Sequence, residues 1–297
     1  MVLSLKERFY SKLLLLCAMA STLVVVLVGL FVFLQGYPLL EKTGFFSFLI
    51  GREWLPGEGV FGILPMVAGT LAITLGALLI GVPLGVTTAV FLAEYAPGIV
   101  ALWTRRAVEL LAGIPSVVYG LFGMTVIVPL VRYIAVHWFG GVLSAEMKTG
   151  FGILAASLVL GIMILPTIVS ISEDALRAVP REYKEGSYAL GVPRWQTIIH
   201  NTLPAARTGI MAGVVLGMGR AIGETMAILM VAGNAPALPR SVFSPARTLS
   251  GNIGLEMAYA SGEHAQALFA TGVVLFLVIM LLNSFALLIA GKGVSGR

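Results

Sequence analysis

The chain has 297 residues, of which 58% are hydrophobic and only 11% charged, and its mean hydropathy is +0.99. Those values exclude a soluble globular domain and describe a protein that crosses a membrane several times. A formal net charge of +5 does not indicate a nucleic-acid partner, because the basic residues are scattered through the loops and form no stripe. Cys17 is the single cysteine, so no disulfide forms within the chain.

Lys6, Arg8 and Lys12 precede an apolar run in which Ala18 to Ala20 resembles a signal-peptidase triplet. The run continues from Leu13 to Leu34, which is long enough to span a bilayer and reads as a retained anchor. Six stretches in all pass the length test: Leu13 to Leu34, Met66 to Leu92, Ala107 to Val131, Phe151 to Ile171, Thr208 to Ala232 and Ala265 to Ala290. The expected architecture is therefore all-α and polytopic. An anchor helix and outer loop occupy 1–64, a membrane domain 65–290 and a tail 291–297. With the N-terminus inside, twelve of the nineteen basic residues fall in inner segments and six in outer loops, with Arg220 within the membrane. This bias places both termini in the cytoplasm.

Within the third stretch, Gly113-Ile114-Pro115-Ser116, followed by Gly120 and Gly123, interrupts the helical pattern. Such breaks persist in membranes only where protein or a water-filled cavity satisfies the freed backbone groups. The pattern is either a packing kink or a place where Ser116 lines a pathway. Glu109, one turn from Arg105 and Arg106, is expected to form an interfacial ion pair.

The longest inner segment lies between the fourth and fifth stretches and reads as two short helices. Pro180 suits a first turn, Gly191 a left-handed stop, Pro193 the start of the second helix and Leu203-Pro204 its end. Tyr183, Gly186, Ser187 and Leu190 fall on one face with small residues at its centre, a surface that another protein's groove can approach closely.

The fifth stretch carries Arg220 and Glu224 near its middle. A central Arg costs about 2.5 to 3.5 kcal/mol even on lenient insertion scales. Residues four apart share a helix face, so the pair is either a self-neutralising structural ion pair or an anion contact, a guanidinium fork beside an acceptor. Gly213, Gly217 and Ala221 repeat every four residues, as do Gly219 and Gly223, which predicts tight helix packing.

Glu185-Gly186-Ser187, then Gly191 and finally Leu203-Pro204, resembles the EAA motif of inner-membrane permease subunits of ABC importers. Gly186 and Ser187 stand where that motif has alanines, and Asn201 stands at its isoleucine position. The resemblance implies a type I ABC importer permease whose ATPase-docking residues are Glu185, Gly186, Ser187 and Gly191. The stretches Leu111 to Gly120, Met163 to Thr167 and Gly219 to Met226 are similar to phosphate importer permeases. Trp54-Leu55-Pro56 and Gly233-Asn234 look more like the PstC type than its PstA-type sister. What this implies is a phosphate pathway including Arg220, Glu224, Thr225 and Ser116. It also implies a PstA-type second permease, a cytoplasmic ATPase dimer of PstB type and an extracytoplasmic PstS-type phosphate-binding protein.

His137, His200 and His264 are scattered without ligand spacing, so neither a metal site nor another cofactor is indicated. No G-x-x-x-x-G-K-[ST], H-E-x-x-H or G-x-S-x-G occurs, so the chain is not expected to hydrolyse ATP itself; the resemblance implies a transporter subunit of the prokaryotic plasma membrane rather than an enzyme. The competing readings are the sister permease, an importer of molybdate or sulfate, and a proton-coupled carrier using Glu224. The carrier is disfavoured because the chain has a docking segment and lacks paired repeats.

Overall fold

Inside a bilayer no water satisfies backbone N–H and C=O groups, so apolar runs of this length close their hydrogen bonds internally as helices. The computed structural model describes residues 5–291 and is built accordingly. The tail beyond Gly291, with Lys292 and Arg297, lies outside the described residues, as do the side chains of Lys6 and Arg8. The helices in chain order begin with α1 (Leu5–Thr43), α2 (Phe45–Ile50), α3 (Leu64–Val90, prolonged by a π-turn over Phe91–Tyr95), α4 (Gly98–Gly113), α5 (Ser116–Phe122) and α6 (Val128–Phe139). They continue with α7 (Ile153–Arg177), α8 (Arg181–Ala189), α9 (Arg194–Thr197), α10 (Leu203–Gly223), α11 (Met226–Val231), α12 (Leu249–Glu256) and α13 (Glu263–Gly291). A small antiparallel hairpin, β1 (Trp54–Leu55) and β2 (Val60–Phe61), pairs Trp54 with Phe61.

The central helix is α7, whose Ala155, Ala156, Ile164 and Ile168 are fully buried. Small residues let its neighbours approach. A Cβ at Gly81 or Gly85 of α3 would run into Ile164 or Ile168, and one at Gly209 of α10 into Ala175. Gly213 and Gly217 of α10 face Ile171 and Ile168, so this part of the predicted small-residue packing is present. Gly219 and Gly223 differ, since a Cβ on either would meet nothing within 4 Å; their face of α10 is open in the single chain. At the edge of the bundle α1 lies against α13, with Gly36 on the backbone of Ala270 and an ion pair from Lys42 to Glu263.

Five helical stretches among the described residues are long and apolar enough to cross a membrane: Phe9–Thr43, Leu64–Tyr95, Ser116–Phe139, Glu146–Arg177 and Glu263–Ser284. Two expectations are corrected. The third crossing begins at Ser116, not Ala107, because Ile114 and Pro115 are extended (ψ 127° and 143°) and end α4. A residue before proline is pushed out of the α region, and Pro115 has no N–H to continue the ladder. The stretch Thr208 to Ala232 is not one helix, because Glu224 is extended (φ −69°, ψ 129°) and separates α10 from α11.

Candidate functional site

That break defines the surroundings of Arg220. The residue lies in the last turn of α10, where a cation is favoured by the helix dipole. It is half-buried and forms no hydrogen bond or ion pair among the described residues. The side-chain partner expected from the sequence is engaged elsewhere: Glu224 Oε1 accepts the Ala227 amide at 3.1 Å and so caps one of the orphan N–H groups of α11. The shared-face ion pair is thus replaced by a carboxylate spent on a helix start and a guanidinium left without a counter-ion.

The surrounding groups come from α5 and α12. Gly120 of α5 packs against Ala227 and Met230, and the Tyr119 hydroxyl next to it in the chain donates to Leu111 O at 2.7 Å. Ser116 is half-buried at the first position of α5, one turn before Tyr119 and Gly120. Thr225 stands between α10 and α11 with its hydroxyl on Gly223 O at 3.4 Å, and Ser250 Oγ donates to Glu224 O at 2.9 Å. The structure therefore gathers Arg220, Glu224 and Thr225 at one helix break, with α5 packed alongside through Gly120.

The docking segment has the two-helix form the sequence predicts. Gly191 adopts φ +76°, which only glycine takes readily, and turns α8 into α9. The second helix does not end at Leu203-Pro204; it passes through a π-turn over Ile198–Thr202 into α10, with Pro204 in the first turn, where its missing N–H is not needed. Glu185 and Gly186 are exposed, and a Cβ on Gly186 would meet nothing within 4 Å. Ser187 is different. It is buried, with its Oγ 2.9 Å from Thr197 Oγ1, so it closes the turn from inside while Leu190, 84% exposed, takes the outer face.

Two polar clusters escaped the sequence. At the docking end, Glu173 accepts from Arg177 at 2.8 Å and pairs with Arg105 at 2.5 Å, while Arg177 Nη2 reaches Leu92 O at 3.0 Å. Arg105 is therefore not the partner of Glu109, and Arg106 stacks over Trp103 at 5.6 Å; Glu109 forms no ion pair among the described residues. Lys184 of α8 holds buried Glu94 at 2.5 Å, tying the docking segment to the end of α3. The i,i+4 spacing of Glu173 and Arg177 was a readable signal, but the long-range partners were not.

At the opposite end, Glu256 of α12 accepts from Arg247 at 2.5 Å, Trp54 Nε1 at 2.8 Å and His264 at 2.8 Å. Arg247 also donates to Asn252 Oδ1 and to Asn234 O. Burial pushes the Glu256 carboxyl up, but the bonds from Trp54, His264 and Arg247 and the charge of Arg247 outweigh it and hold the group below the usual carboxylate range. This network locks the segment after Asn234 over the helix ends.

The chain is similar to known proteins in sequence and in fold. The profile of the family described as "binding-protein-dependent transport system inner membrane component" matches residues 81–294. The chain is 39% identical to the phosphate transport system permease protein PstC of Mesorhizobium japonicum over 90% of its own length and 85% of that protein. It is 40% identical to the probable ABC transporter permease protein YqgH of Bacillus subtilis, over 90% and 86%. Among solved structures, a bacterial alginate ABC transporter matches with a TM-score of 0.59 at 18% identity over 95% of both chains. The inward-facing MetNI methionine ABC transporter matches with 0.56 at 22% identity, over 78% of this chain and 94% of that one.

Proposed function

Because the chain belongs to the family of binding-protein-dependent transport system inner membrane components, we propose that it is the PstC-type permease subunit of an ATP-driven phosphate importer, with Arg220 as the group that meets the anion inside the membrane. The observation that carries this reading is the guanidinium of Arg220, half-buried at the end of α10 with no counter-ion among the described residues. A planar guanidinium binds two phosphate oxygens side by side, and a single such contact holds the ion weakly enough for passage. Glu224 keeps Oε1 on Ala227, and its second oxygen is available to accept from a protonated phosphate oxygen, which fully ionised sulfate lacks. Ser116 and Thr225 line the same route.

The open face of α10 at Gly219 and Gly223 is where a PstA-type permease completes the pathway. In this arrangement α10 and α11 together make the sixth crossing, both termini are cytoplasmic, and 1–64, 65–290 and 291–297 serve as anchor, permease domain and tail. A PstS-type protein delivers phosphate from outside. A PstB-type ATPase dimer docks at Glu185, Gly186, Leu190 and Gly191, with Ser187 shaping the turn behind them. Closure of that dimer pushes α8, and the Lys184–Glu94 bond together with the continuous α9–α10 path carries the motion to the bundle and to Arg220. The test is reconstitution with the partner subunits in proteoliposomes. ATP-dependent uptake of radiolabelled phosphate, not displaced by excess sulfate, supports the reading; sulfate uptake at an equal rate contradicts it.

A further inference from the structure

The end of α3 and the path from α9 into α10 leave an apolar groove of about 340 Å³ between them. Val86 and Val90 form one wall and Ile199 and Leu203 the other, with Tyr95 and Trp195 at one end. From Val86 to Tyr95 the groove follows roughly 13 Å of helix, at about 1.5 Å per residue. It is graded: aliphatic at one end, amphipathic aromatic at the other, the order that the hydrocarbon and headgroup layers of a bilayer impose. Phe91, Tyr95, Trp195 and Ile199 are all exposed.

The aromatic end also carries an unneutralised charge. The guanidinium of Arg194 lies 4.8 Å from the centre of the Tyr95 ring and forms no ion pair among the described residues. Glu94, the carboxylate beside Tyr95, is already held by Lys184. A cation stacked on an aromatic ring, at the end of a mainly apolar slot, matches the two parts of one kind of molecule.

We propose that this groove binds one phospholipid with an anionic headgroup, its phosphate against Arg194 and an acyl chain between the α3 and α9–α10 walls. Each wall contains a π-turn, at Phe91–Tyr95 and Ile198–Thr202, and α8 lies between them in the chain. A bound lipid therefore braces both supports of the docking segment.

The test is photo-crosslinking from position 199 in the transporter assembled with its partner subunits, in nanodiscs of equal phosphatidylglycerol and phosphatidylcholine, with the adducts identified by mass spectrometry. The expected result is a phosphatidylglycerol adduct enriched about fivefold, the preference one basic residue gives at a membrane surface. Arg194→Gln brings that ratio to the nanodisc composition, and Val90→Phe lowers the yield of both adducts by filling the slot. Capture of the two lipids in proportion to their abundance in the wild type overturns the proposal, as does a cross-link to another subunit in place of lipid.

Discussion

Glu224 places Oε1 3.1 Å from the amide nitrogen of Ala227, three residues ahead, and forms no ion pair with Arg220 four residues behind. The carboxylate starts α11 where α10 has ended, so the two charges in this segment have separate tasks. That separation makes their substitutions distinguishable.

Glu224→Gln retains a side-chain oxygen that accepts from Ala227, whereas Glu224→Ala leaves that amide without its partner. Loss of a capping acceptor costs about 1 kcal/mol. The alanine variant is expected to lower the thermal midpoint of the purified protein and to speed amide exchange at Ala227, and the glutamine variant to do neither.

The same break explains what was legible in the sequence. Apolar length gave the crossings at α1, α3, α7 and α13, and Gly191 marked the turn of the docking segment. The i,i+4 rule, applied to Arg220 and Glu224, failed because it presumes a continuous helix, and no proline or local run announces the extended backbone at Glu224. Pro115 did announce the other break, but its extent was missed, so α4 was merged with the crossing after it. The Glu256 network was invisible because Trp54 lies far away in the chain, and Arg247 and His264, though within nine residues of Glu256, sit at no helical i,i+4 spacing from it and meet it only through the fold.

Gly186→Trp is expected to leave the fold intact, since the position opens onto free space, and to block the docking surface. Co-purification of the ATPase subunit should fall at least tenfold while membrane insertion is unchanged. Normal co-purification would remove Gly186 from the docking surface.

The orientation is checked with single cysteines in a Cys17→Ser background. Ser187 is buried and unsuitable, but Leu190 and Tyr259 are exposed at opposite ends. A cysteine at 259 should react with an impermeant maleimide in intact cells, and one at 190 only after lysis and removal of the ATPase. Labelling of 190 from outside reverses the topology.

Arg247→Ala removes the guanidinium beside the buried Glu256 carboxylate and leaves it only Trp54 and His264, so the cost is expected at the lower end of the about 3 to 5 kcal/mol for breaking one side of a buried pair. The sign of the pH effect follows from the depressed folded-state pKa of Glu256. Its stabilisation is present above the unfolded carboxylate range and is lost as pH falls through the lower folded value. Thermal midpoints measured from neutral to acid pH should therefore fall less steeply in Glu256→Gln than in the wild type.

The measurement that bears most directly on the account is phosphate uptake by Arg220→Lys and Arg220→Gln in proteoliposomes containing the full transporter. Since no carboxylate among the described residues pairs with Arg220, neither change strands a buried charge there, and both variants should assemble with wild-type ATPase content. Lysine keeps the charge without the planar fork, so its uptake should fall at least tenfold, and glutamine should abolish uptake. Wild-type uptake by the glutamine variant, with normal assembly, would contradict the role of Arg220 as the anion contact.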